Sequence, residues 1–278
     1  MEQNKFLYTA KDHLVSSEEF DIFWNEEEGY ALTAVPNEID LKKYYQAESY
    51  NSHKTEKHTL LDFIYVFVQK LMLSYKARFI KQNNATVLDY GSGVGVFANY
   101  LKNRGFTVTA VEPSDIARKA CIKKGLNSYE TIDYISESTL FSVITLWHVL
   151  EHVPDLNKTL AQLNNKIQYN GTLIIAVPNL KSYDAKHYKS YWAALDVPRH
   201  LWHFTDIGLI KLLESSGFAF QSTHPLWFDA LYISYLSESQ KGSSFAFIKG
   251  LFVGVWSNLK ALFNGQYSSK IYIFKKTN

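Results

Sequence analysis

The stretch VLDYGSGVGVF, residues 87–97, runs from apolar residues through a glycine turn into a second apolar segment. Val87 and Leu88 read as the end of a buried strand. Gly91, Gly93 and Gly95 then let the backbone turn tightly and approach a ligand with no Cβ in the way. FANYLKNRG, residues 97–105, follows as a helix stopped by Gly105. Strand, glycine turn and helix in that order open a nucleotide-binding βα unit.

Working outward, FTVTAVE (106–112) is a second strand, residues 115–124 are helical, and FSVITLW (141–147) is a third strand. Residues 155–167 form a helix, and GTLIIAVP (171–178) is another buried strand. This alternation predicts an α/β sheet, mostly parallel, because parallel neighbours need crossover helices. Upstream, Leu60, Ile64, Phe67, Leu71 and Tyr75 recur at three- or four-residue steps, so Thr59 to Ile80 reads as an amphipathic helix packed on that sheet. Residues 1–45, with short alternating runs around the EEEG turn at 26–29, read as a small β-hairpin appendage. Residues 46–278 then form the main domain, with a helical insertion at about 226–265.

The chain has 278 residues, 46% hydrophobic and 20% charged, with a net charge of +2, which is an ordinary globular composition. Lys and Arg are scattered, so the basic stripe of a nucleic-acid binder is missing. Cys121 is the single cysteine and closes neither a disulfide nor a zinc site. The start MEQNKFLYTAKDH has no secretory apolar run, which points to the cytoplasm. FAFIKGLFVGVW (245–256) is short and carries Lys249, so it reads as a helix packed on the domain and not as a membrane span, with an interfacial membrane helix as the alternative.

Two carboxylates flank the glycine turn. Glu112 ends the second strand, where it can accept from both hydroxyls of a ribose. Asp89 precedes the turn, where it would repel a pyrophosphate but attract an ammonium group. The dinucleotide fingerprint wants its third glycine at position 96, which is Val96, whereas here it is Gly95. The ligand read from these residues is a nucleoside joined to an aminoacyl group, and S-adenosylmethionine fits. An NAD-type oxidoreductase is the enzyme alternative, and a non-catalytic S-adenosylmethionine-binding module the other.

VLDYGSGVGVF, AVEPS (110–114), LWHVLEHVPD (146–155) and PRHLWHF (198–204) together resemble the class I S-adenosylmethionine-dependent methyltransferases, in their small-molecule branch of type 23 and type 11 domains. The resemblance spans roughly Leu60 to Lys275. It implies a Rossmann-like doubly wound sheet of seven strands whose last strand, Ser269 to Lys276, is antiparallel. It assigns Asp89, Gly91 and Gly93 to the methionine side of the cofactor and Glu112 to its ribose, with Gly95 and Pro113 also among the cofactor-binding positions. Ile132 and Asp133 in SYETIDY would meet the adenine, and Trp147 would face the cofactor. Phe141-Ser142 departs from the family's Phe-Asp and weakens a structural turn. Residues 11–36 resemble the zinc ribbon that precedes some relatives, but without cysteine it must be held by Phe20, Phe23, Trp24, Tyr30 and Leu32, and no metal is implied.

HVLEH (148–152) also spells the pattern of inverted zinc peptidases, in which two histidines on one helix face hold a metal. Here it follows a strand directly and meets Pro154, so it reads as a strand-end loop in which His148 faces the cofactor and Glu151 with His152 ties the loop down. Methyl transfer needs an aligned acceptor, which can supply about 7–11 kcal/mol, and a base for its proton. His200 and His203 in LDVPRHLWHF, with His148, are the candidate bases. The segment 180–204 should roof the acceptor pocket, with Tyr183, Tyr191 and Trp192 packing on a small organic acceptor and Arg199 binding its anionic group or pairing with Asp196.

Overall fold

The computed structural model describes residues 4–36, 39–45 and 60–277. Strands that are apolar along their whole length need cover on both faces, and this requirement organises the larger part of the chain. The first three strands, β1 (Asn4–Lys11), β2 (Glu19–Asn25) and β3 (Tyr30–Thr33), belong to a separate antiparallel sheet. The main sheet is built from β4 (Thr86–Tyr90), β5 (Thr107–Val111), β6 (Asn127–Tyr129), β7 (Phe141–Trp147), β8 (Ile167–Pro178), β10 (Phe218–Pro225) and β11 (Ser269–Lys276).

Its order is β10-β11-β8-β7-β4-β5-β6. All pairings are parallel except those of β11, which runs antiparallel to both β8 and β10. The seven-stranded sheet and its antiparallel SKIYIFKK strand are as expected from the sequence. Chain order reverses at β4, which has β5 on one side and β7 on the other, so the carboxyl end of β4 is the switch point where ligands bind.

Side chains alternate across the sheet. Leu88, Ile144, Leu173 and Ile175 point into one core, while Val87, Val143, Ile174 and Ala176 point into the other. Helices α1 (Leu60–Ala77), α2 (Val96–Lys102), α3 (Asp115–Lys123), α4 (Leu156–Lys166), α5 (Tyr183–Tyr188) and α6 (Asp206–Ser215) surround the sheet and its upper edge. Ser114, Asp155, Ser182 and Thr205 cap α3 to α6 by accepting from backbone N–H groups. Ser142, the departure from Phe-Asp, exchanges hydrogen bonds with Thr86 at 3.0 Å in each direction and so keeps the start of β7 tied to β4.

Two results differ from the sequence reading. The appendage is not a hairpin on its own, because β3 pairs with β9 (Trp202–His203), which comes from the acceptor segment. The late apolar segment is also longer than expected. It forms α8 (Ala246–Asn264), 19 residues long, packed on α7 (Trp227–Gln240). A third core joins the appendage to α5, α7 and α8 through Ile22, Tyr188, Trp192, Ile233 and Val253.

Candidate functional site

At the switch point Gly91, Gly93 and Gly95 all take left-handed backbone angles, with φ of 73°, 54° and 74°. Only at Gly93 would an added Cβ meet nothing within 4 Å, so this is the glycine that faces the open cleft. A Cβ on Gly91 would strike Val149 at 2.4 Å, and one on Gly95 would strike the Cys121 Sγ at 2.7 Å. Gly95 therefore lets α2 pack closely against Cys121 and Leu126. Glu112, ending β5, accepts from the Gly93 N–H at 2.8 Å and the Ser114 N–H at 2.9 Å, which fixes its carboxylate beside the turn. Pro113 is exposed beside it.

Asp89 is buried at the end of β4 and accepts from the Thr145 hydroxyl on β7 at 2.7 Å. Burial pushes its pKa up to about 6, although Thr145 and the Lys76 ammonium act in the opposite direction. Lys76, on α1, sits 4.6 Å over the Trp147 ring. Its own pKa is lowered by burial, against the attraction of Asp229 and Asp89. The Trp147 Nε1 is buried with no partner among the described residues. An open glycine, a buried carboxylate, a second carboxylate at strand's end and an orphan indole N–H fit a nucleoside carrying an amino acid. Ile132 and Asp133 are one strand further out. Ile132 is buried in the core, and Asp133 is exposed, accepting from Gln162 at 2.8 Å.

Beyond β7 the chain makes a short 3-10 turn over Leu150–His152, not the two-turn helix a peptidase would need. His148, with φ 56°, turns its ring between Asp229 of α7 (Nε2 to Oδ2 3.0 Å) and Glu151 (Nδ1 to Oε1 3.3 Å). Burial opposes its charged form, but the two carboxylates outweigh burial and push its pKa up to about 9. The pairing favours the imidazolium form and leaves neither ring nitrogen without a carboxylate partner. Glu151 thus pairs with His148 and not, as read from the sequence, with His152.

His203 and Arg199 hold the appendage. The His203 Nε2 lies 2.9 Å from the Thr33 hydroxyl, which itself donates to the His200 carbonyl at 2.7 Å, so His203 donates to Thr33. Burial and the neighbouring His200 lower the pKa of His203 to about 3. Arg199 is 1% exposed and donates to Asp196 at 2.6 Å, to Asp12 at 3.2 Å and to the Tyr44 carbonyl at 3.2 Å. It is a buried clamp, already paired with two carboxylates and shut off from solvent. Trp192 is likewise in the core, its Nε1 donating to Asp184 at 2.7 Å, while Tyr183 is half-buried and Tyr191 is 45% exposed.

His200 is differently placed. Its Nδ1 lies 2.8 Å from the Ala194 carbonyl and donates to it, so Nε2, which stands 3.9 Å from the Asp196 Oδ2, is the nitrogen that makes no hydrogen bond. The His152 Nδ1 donates in the same way to the Arg199 carbonyl at 3.0 Å, and the two rings stand edge to face with centroids 4.4 Å apart. Burial, with His200 alongside, lowers the His152 pKa to about 4. The Glu151 Oε2 beside them is buried with no partner among the described residues. Glu151, His152 and His200 each bring a ligand atom within 4.8 Å of the others, a donor set able to hold a divalent cation. HVLEH contained two members of this cluster, but nothing in the sequence joined them to His200. Asp12, Thr33 and Asp229 carried no local signal.

The sequence model of a family described as a methyltransferase domain matches residues 65–223. The ubiquinone biosynthesis O-methyltransferase of Pasteurella multocida is 30% identical over 130 residues, covering 39% of this chain and 53% of that protein. The Coxiella burnetii protein of the same name is 25% identical over 187 residues, covering 57% and 76%. The chain spans about half the length of the Pasteurella relative. Among solved structures, the Burkholderia thailandensis 1,6-didemethyltoxoflavin-N1-methyltransferase, with its acceptor and S-adenosylhomocysteine bound, shares the fold with a TM-score of 0.51 and 16% identity, covering 90% and 96% of the two chains.

Proposed function

The chain belongs to the methyltransferase domain family matched over residues 65–223, and from that membership we propose that it moves a methyl group from S-adenosylmethionine to an oxygen or carbon of a small organic acceptor. When bound, the cofactor supplies a sulfonium methyl group to an in-line attack and leaves as S-adenosylhomocysteine. Gly93 gives its backbone to the cleft, Glu112 accepts from the ribose hydroxyls, and Asp89 attracts the ammonium group. The observation that carries the reading is the cradle itself, an open Gly93 whose N–H is held by the Glu112 carboxylate, with the buried Asp89 at the end of the strand that leads into it; the base is assigned among the imidazoles by what each already holds. His148 is held between two carboxylates, and His203 is engaged with Thr33. His200 remains, with an Nε2 that makes no hydrogen bond and takes the acceptor's proton as its oxygen or carbon attacks the methyl group. The names of the Pasteurella and Coxiella relatives, O-methyltransferases, favour oxygen. A cytoplasmic setting belongs to the same proposal.

The orphan Glu151 Oε2 favours a second reading, in which a divalent cation on Glu151, His152 and His200 holds the acceptor oxygen and lowers its pKa. Calorimetry with S-adenosylhomocysteine and with NAD, followed by methyl transfer to small hydroxylated acceptors, tests the main reading. Binding of NAD alone would sink it. Activity that survives chelation removes the cation, and activity restored only by added metal establishes it.

A further inference from the structure

One side of α8 is fastened to the domain by small residues. A Cβ on Gly250 would lie 2.5 Å from the Tyr235 Cα, and one on Gly254 2.7 Å from the Ala230 carbonyl oxygen, so α8 and α7 touch backbone to backbone. Ser257 adds a hydrogen bond to Asp184 of α5 at 2.7 Å, and Ala261 is buried on the same side. The other side is bulky and uncovered. Phe247, Ile248, Phe252, Trp256, Leu262 and Phe263 all stand in solvent, Phe252 at 70% and Phe263 at 93% exposure. A surface helix ordinarily turns its apolar stripe inward, whereas this one buries glycine and exposes phenylalanine. A contiguous apolar face of this kind marks a contact with something outside the chain.

Charge selects what it meets. α8 carries Lys249 and Lys260 and no acidic residue, and no Asp or Glu follows Glu238 anywhere in the chain. A second copy of this face would set lysine against lysine with no carboxylate to pair them. An anionic bilayer offers what the face lacks. Rings and aliphatic groups sink to the level of the acyl boundary while lysines reach the phosphates. The helix is 19 residues long and apolar enough to cross a membrane, but its small-residue side is committed to α7 and α5, so it lies in the plane of the surface. We infer that the outer face of α8 docks the protein on an anionic phospholipid surface. This stands apart from methyl transfer, because it uses no residue of the cleft. It places the lipid next to the acceptor segment, since the Lys260 Nζ lies 4.2 Å over the Tyr183 ring.

Co-sedimentation with phosphatidylcholine vesicles, with and without phosphatidylglycerol, tests the inference on the full chain. The expected result is salt-sensitive binding that needs phosphatidylglycerol. Phe252→Glu with Phe263→Glu should weaken it roughly tenfold or more, and Lys249→Glu with Lys260→Glu should abolish the preference for anionic lipid. All four positions are exposed, so circular dichroism should be unchanged. Failure of the unaltered protein to sediment with either vesicle overturns the inference. So does a dimer in sedimentation velocity that the phenylalanine substitutions dissolve, since the face would then be a self-association surface.

Discussion

The glycine turn at 91–95 and the histidine stretch at 198–204 each crowd unusual residues into a few positions, yet they are held in place by opposite means. The turn's partners come with the sheet. Glu112, 19 residues from Gly93, ends the adjacent strand, and Thr145 stands in register with Asp89 on the other side. The histidine stretch takes its partners from a different sheet at the far end of the chain. Arg199 reaches Asp12 across 187 residues, and Thr33 sits between His200 and His203. A site assembled by neighbouring strands follows from the topology, whereas one assembled by an appendage depends on how that appendage docks.

The sharpest test of this contrast separates the two histidines. His200→Ala should lower kcat by roughly 10² to 10⁴ in protein that still folds, as expected for loss of a base. His203→Ala should keep turnover in the folded protein while lowering the melting temperature. An exchange of these results would move the site to the appendage side. Next in size, Arg199→Ala leaves Asp12 and Asp196 without their cation, and urea unfolding should show a loss of about 3–5 kcal/mol.

Within the turn, Gly95→Ala should cost roughly 1–3 kcal/mol, because its Cβ would overlap Cys121 and its φ is left-handed. Gly93→Ala meets no atom of the protein, so its main effect should appear in calorimetry, as weaker binding of S-adenosylhomocysteine. Equal effects on binding from both would show that Gly95 also lines the cleft.

Two smaller effects concern pH. Asp89 has its pKa pushed up to about 6 and must be ionised to meet an ammonium group, so affinity should weaken by up to about tenfold per pH unit below 6. Asp89→Asn should flatten that profile. His148 has a folded pKa of about 9, above its ordinary 6.5. Its contribution to stability is therefore full below 6.5 and is lost as pH rises toward 9. Melting curves of the parent protein and Asp229→Asn should converge over that interval.

The sequence by itself determined the order of strands and helices, the seven-stranded sheet, and the glycine turn with Asp89, Gly93 and Glu112 at the switch point. Those features rest on short-range patterns: apolar alternation, glycines where φ must be positive, and polar groups at strand ends. Only the tertiary structure decided what each imidazole already holds, that Arg199 and Trp192 are interior supports, that Gly95 packs against Cys121, and that α8 shows its aromatic side to solvent. The physical reason is that a side chain's task depends on which groups reach it first. For His148, His203 and Arg199 those groups are Asp229, Thr33 and Asp12, brought close by packing between distant parts of the chain and by no pattern along it.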